Sequence, residues 1–279
     1  MSVSSPTAST AVSSVPDQRP GRLTAAVCAI HQPNLFPRLS TLAKLYTADV
    51  WIVYDDVQFV RRDYQHRARL AQLNDPRKWQ WLSLPTHLPH GRDTLISDAH
   101  LVEPFRSQQR VQRLLQQLYS RGPYWLQLQE RLGALFDLFE ITDRTAAIAK
   151  ASTLALLRLL DWDGTVLHSR DLPARKGRSL RLADLCSSVN ASTYLCGSGG
   201  LSYLDTAPFE QQAISVESFL VPEHGVWEEG HRVSALRAIA THGPDALRRH
   251  LITLREQLWP AARFTASSAR PRPVPPQIG

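Results

Sequence analysis

Long apolar runs are the first thing this sequence lacks. No stretch of about 18 apolar residues occurs, so no membrane span is expected. The smooth run at residues 50–54 (VWIVY) is strand-sized. Cysteine is scarce: Cys28, Cys186 and Cys196 are too few for a disulfide framework in 279 residues and point to a reducing compartment. The opening MSVSSPTAST has neither the basic start nor the apolar core of a secretory signal, so a cytoplasmic location is expected. No internal repeat is visible, which argues against a solenoid. Lysine is nearly absent. Of 32 basic residues only Lys44, Lys78, Lys150 and Lys176 are lysines, and against 25 acids the net charge is +7. An arginine-heavy surface suits phosphate and carboxylate ligands, because the guanidinium fork binds them bidentately. Biased codon usage is the plainer source of the same excess. The arginines are spread along the chain without a DNA- or RNA-binding motif, so nucleic acid is not the expected partner.

What remains is a globular composition, 43% hydrophobic and 20% charged. Residues 1–22 are mostly Ser, Thr, Pro and Val, and 260–279 contain ARPRPVPPQIG. Both read as disordered tails around a single α/β domain over 23–259. The apolar run 25–30 predicts a buried strand, HQPNLFP a loop fixed by two prolines, and 39–48 a helix. VWIVYD then predicts a second strand, which gives a β-loop-α-β unit and a mostly parallel sheet with flanking helices. A further strand is expected at 79–84 (WQWLSL). A helical insertion is expected over about 105–161, with Pro123 starting one of its helices. The α/β rhythm resumes with strands at 165–168, 193–195 and 214–220, and a helix at 179–188. A glycine turn at 197–200 and helices at about 233–241 and 244–258 complete the reading.

Several clusters in this frame could carry chemistry. His31, Gln32 and Asn34 follow the first strand, where ligands bind in open parallel sheets. His31 titrates near neutral pH and could shuttle a proton; capping of the next helix is the plainer reading. Asp55 and Asp56 end the second strand and could hold an amine, bind Mg²⁺ or act as a base. Alternation along a strand points their side chains in opposite directions, so only one is expected in a site. A solvated pair matched by Arg61 or Arg62 is the alternative. Residues 61–70 (RRDYQHRARL) could bind an anion or form a solvated helical face. The run Tyr194-Leu-Cys-Gly-Ser-Gly-Gly-Leu-Ser-Tyr-Leu-Asp205 offers backbone amides to an anion, yet lacks GxGxxG spacing and a P-loop lysine. His87 and His90 lie on a proline-bearing loop, so no metal site is expected. His100, His168, His242 and His250 read as surface or capping histidines. No GxSxG elbow supports a serine hydrolase.

These residues carry a resemblance. The stretch HQPNLFPRLSTLAKLYTADVWIVYDDVQFVRRDYQHRARL resembles the WbqC-like family, and WQWLSLP, YLCGSGGLSYLD and VSALRAIATHGPDAL are similar in order and spacing. The likeness spans most of 27–250. It implies functional positions at His31, Gln32, Pro33 and Asn34, at Asp55, Asp56 and Gln58, and at Arg67. It implies further ones at Gly197, Gly199, Gly200, Tyr203 and Asp205. Three positions depart from the family pattern: Arg38 stands for a tryptophan, His66 for an asparagine and Arg237 for an aspartate.

The resemblance implies a biosynthetic enzyme of surface-polysaccharide or secondary-metabolite pathways. Its expected reaction attaches an acyl or aminoacyl group to an amine, with a small-molecule or carrier-linked substrate. His31, Asp55 and Asp56 are then the candidate catalytic residues. Gln32, Asn34, Gln58, Arg67, Gly197, Gly199, Gly200, Tyr203 and Asp205 are the candidate substrate contacts. No cofactor is indicated. A nucleotidyl-transfer or ligase-type enzyme is the alternative, although Pro37-Arg-Leu-Ser40 stands near where a His-x-Gly-His motif would end. A non-enzymatic small-molecule-binding protein of such a pathway is the other.

Overall fold

The computed structural model describes residues 26–259; the expected tails, 1–22 and 260–279, lie outside the described residues. The first apolar run forms β1 (Ala26–His31), followed by α1 (Leu39–Thr47) and β2 (Val50–Val53). A long excursion begins with β3 (Arg67–Ala71), β4 (Trp79–Ser83), β5 (Thr86–His87) and β6 (His100–Leu101). It continues through α2 (Pro104–Tyr119), α3 (Trp125–Arg131), α4 (Gly133–Ile141) and α5 (Thr145–Leu159). The chain returns as β7 (Thr165–His168), α6 (Arg178–Ser188), β8 (Ala191–Gly197) and α7 (Ser198–Leu201). It ends with α8 (Ala207–Glu210), β9 (Ser215–Phe219), α9 (Ala235–His242) and α10 (Pro244–Leu258). Five strands build one sheet in the order β7-β2-β1-β8-β9, and every neighbouring pair is parallel. The α/β class is therefore as expected, with the main sheet parallel throughout.

Burial on both faces explains why β1 reads as an unbroken apolar run. Val27 and Ala29 turn into a core shared with Leu39 and Leu42 of α1, Trp51, Val53 and Leu195. Cys28 and Ile30 turn the other way, to Ile52, Ala183 and Cys186 of α6, Tyr194, and Phe209 of α8. The first of these cores also takes in Leu115, Leu128, Leu135, Ile148 and Leu157, so helices α2–α5 share it with one face of the sheet. Trp51, fully buried, donates from Nε1 to the carbonyl of His31 at 3.1 Å, which fastens the core to the end of β1.

Four local expectations change. The strand at 79–84 forms, but β4 pairs antiparallel with β3 in a ribbon apart from the main sheet. Residues 67–71 of the basic run are thus a strand and not a helical face: Arg69 stacks over Trp79 and Trp81 while Ala68 and Leu70 are buried. The glycine turn after β8 winds into the short helix α7. In the helical excursion, Pro104 rather than Pro123 occupies a first-turn position, and α3 begins at Trp125.

Candidate functional site

Strand order reverses between β1 and β8. The chain builds outward from β1 to β2 and β7, then crosses back to β8 and β9. In open parallel sheets the crevice at such a reversal, off the carboxyl ends of the strands, is where ligands bind. β1 ends there at His31 and β8 at Gly197.

The loop after β1 is held from below by α5. Ser152 Oγ accepts from the Phe36 amide at 2.9 Å, and Thr153 Oγ1 donates to the Asn34 carbonyl at 2.9 Å. Phe36 is left-handed at φ 42°, a conformation that costs a non-glycine residue and persists only where the surroundings fix it. Asn34 is 3% exposed, and its amide nitrogen lies 3.5 Å from His31 Nε2, the long limit of a hydrogen bond. Gln32 Oε1 accepts from the fully buried Gln65 Nε2 at 2.6 Å. Burial, together with the nearby charges of Lys44 and Arg38, holds the half-buried His31 ring well below the usual histidine range. The ring is therefore neutral at pH 7.

Lys44 completes this group, and the sequence reading missed it. It is 7% exposed on α1, and a Cβ built on Gly197 would lie 3.8 Å from its Nζ. Among the described residues the groups that act on its charge are Cys196, Cys28 and Arg38, none of them a carboxylate. Burial lowers its ammonium from 10.5 to about 8, while Cys196 and Cys28 act in the opposite sense. The helix around it contains no other charged residue (LSTLAKLYT), and a lone cation in a buried helix was the available signal. The switch point thus brings together a neutral imidazole that can accept a proton and an ammonium without a counter-ion among the described residues.

A second cluster forms at the ends of β2 and β7. Asp55 is 2% exposed; its Oδ2 receives Arg170 at 2.5 Å and lies 3.4 Å from His168 Nδ1. Asp56 turns the other way, to Ser169 Oγ at 2.5 Å and to Arg181 of α6. The divergence expected from strand alternation is present, and the partners are Arg170 and Arg181, not Arg61 or Arg62. His168, read as a surface or capping histidine, is only 27% exposed in its side chain. Its Nε2 lies 2.9 Å from Lys150 Nζ. Nothing local in the sequence pairs Arg170 with Asp55 or Lys150 with His168; these contacts depend on β7 lying beside β2.

The other candidate residues lie elsewhere or are engaged. Arg67 donates to the carbonyls of Arg62 and Asp63 and stacks over Trp81. Gln58 donates to the Arg92 carbonyl at 2.6 Å. Asp205 accepts from the Ala207 amide at 3.1 Å, and Tyr203 is 68% exposed under the Arg178 guanidinium. Gly199 and Gly200 are exposed on α7; a Cβ on Gly200 would meet Cys196 Sγ at 3.0 Å. The three cysteines are free and buried. His100, also read as surface or cap, contacts Asp143 at 3.1 Å. Among the described residues, no helix is long and apolar enough to cross a membrane.

The sequence profile of the WbqC-like protein family matches residues 32–248. The uncharacterized protein Rv1507c of Mycobacterium tuberculosis is 25% identical over 196 residues, 68% of this chain and 80% of that protein. No solved structure matches.

Proposed function

The chain belongs to the WbqC-like protein family, and on that premise we propose that it is a biosynthetic group-transfer enzyme acting at the β1–β8 switch point. It passes an acyl or aminoacyl group to an amine, such as that of an amino sugar or a secondary-metabolite precursor. The observation that carries this reading is Lys44, a buried ammonium with no acid beside it among the described residues. Such a group costs stability unless a counter-charge arrives. An acyl donor bearing a phosphate or carboxylate supplies that charge. The acceptor nitrogen then attacks the acyl carbon, its proton passes to neutral His31, and the donor's leaving group departs. Asn34 and the amides that follow β8 are suited to hold the oxyanion that develops.

A turnover assay tests this. Acyl-CoA and aminoacyl donors are offered with amino-sugar and other amine acceptors to the wild type and to His31→Ala. Product is expected from the wild type, reduced about 10²–10⁴-fold in His31→Ala with cooperative unfolding retained. Undiminished product from a folded His31→Ala would remove the base and the reading with it.

Nucleotidyl transfer is the second reading. It is favoured by the strand order, with a histidine closing the central strand and a helix beginning eight residues on, a layout that resembles that of the HIGH-motif nucleotidyltransferases. ATP or CTP with Mg²⁺ raising the melting temperature would support it. A ligand that stabilises the chain but is never turned over would instead identify a binding protein.

A further inference from the structure

The carboxyl ends of β2 and β7, the start of α5 and the turn at Ile96–Asp98 enclose a cavity of about 330 Å³, at the small end of ligand-site volumes. Its walls carry both signs of charge, and each sign has an unmet demand. Asp55 Oδ2 is taken by Arg170, but Oδ1 is buried and receives no donor among the described residues. A buried carboxylate oxygen left without a donor is costly. Asp98 lines the same cavity and accepts only from Ser97 Oγ, at 3.1 Å. On the cationic side, Lys150 Nζ contacts only the His168 ring among the described residues, and Asp55, already engaged by Arg170, acts on it only through space. Arg144 stands at the exposed rim, and its NH1 contacts the Ser97 carbonyl and His100 Nε2 without reaching an acid. A purely anionic ligand would leave Asp55 Oδ1 unanswered, and a purely cationic one would leave Lys150 and Arg144 unanswered.

We propose that this cavity binds a free α-amino acid, its carboxylate between Lys150 and Arg144 and its ammonium at Asp55 Oδ1 and Asp98. One small molecule then meets both demands at once, with an ammonium and a carboxylate held a single carbon apart. The site lies beside the switch point, since His31 is paired with Val53, two residues before Asp55. The inference concerns equilibrium binding and holds whether or not the chain transfers a group.

The test is calorimetric titration of the full chain with each common amino acid. For each one that binds, its N-acetyl derivative and its decarboxylated amine are titrated as well. At least one amino acid is expected to bind, with both analogues weaker by about tenfold or more, the loss of one charge-assisted contact. Arg144→Gln, at an exposed position, is expected to weaken binding similarly, as is Lys150→Met; Arg77→Ala, outside the cavity, leaves it unchanged. The inference is overturned if no amino acid binds the wild type. It is equally overturned if the analogues bind as tightly as the amino acid, or if Arg144→Gln binds like the wild type.

Discussion

Lys44 and His31 share one physical situation: each is packed where its charged form is poorly solvated. For Lys44 the ammonium falls from 10.5 to about 8. Between those two values the unfolded chain keeps a proton that the folded chain has released, so stability rises with pH across that window. Below about pH 8 the full cost of the buried charge is present. His31 acts in the same sense at lower pH. Its folded value lies below 6.5, so acidification through that range protonates the unfolded chain first and stability falls. Lys44→Met keeps the linear side chain and removes the charge. It is expected to stabilise the protein at pH 7 by about 1–3 kcal/mol, read as a higher urea midpoint with an unchanged slope. The HQPN run was legible because polar residues crowd a strand end. Lys44 was not, because its meaning depends on β8 coming to lie against α1.

At the scale of elements, the loop between β1 and α1 is the part most dependent on distant support. Ser152 of α5 is the partner of the Phe36 amide. Ser152→Ala leaves that buried N–H without an acceptor, at an expected cost of about 1–3 kcal/mol in urea unfolding. It should also weaken whatever His31 and Asn34 bind. Glycines separate in the same way. Gly243 joins α9 to α10 at φ 82°, and a Cβ there would fall 2.6 Å from the Tyr124 ring. Gly243→Ala is therefore expected to cost about 2 kcal/mol or more. Gly199→Ala, with nothing within 4 Å of the added Cβ, should change stability by less than about 0.5 kcal/mol. The helices and strands were largely legible from periodicity. The ribbon was not: RARLA alternates with period two over too few residues to outweigh a basic, helix-like run, and an apolar strand such as WQWLSL does not encode which strand it joins.

Across the whole molecule, the sheet decides which residues meet. Residues 54–164 separate β2 from β7, yet the two strands are neighbours, and that adjacency assembles Asp55, His168, Lys150 and Arg170. Alternation of strand and helix showed the class; the order of strands, and with it the second cluster, had no local signal. The arginine surplus also reads differently in the fold. Arg67 and Arg69 brace the ribbon's tryptophans, and Arg170, Arg181 and Arg255 pair with acids at the sheet. Among the described residues, the switch-point cation without an acid beside it is a lysine. The most direct test of its role is thermal unfolding of the wild type and Lys44→Met at pH 7, each alone and with an acyl-CoA, a nucleotide or inorganic phosphate. The role assigned to Lys44 requires that Lys44→Met alone melts higher than the wild type, and that an anion which raises the wild-type melting temperature leaves the variant unmoved. A variant that melts lower, or that responds to the same anion as strongly as the wild type, would contradict it.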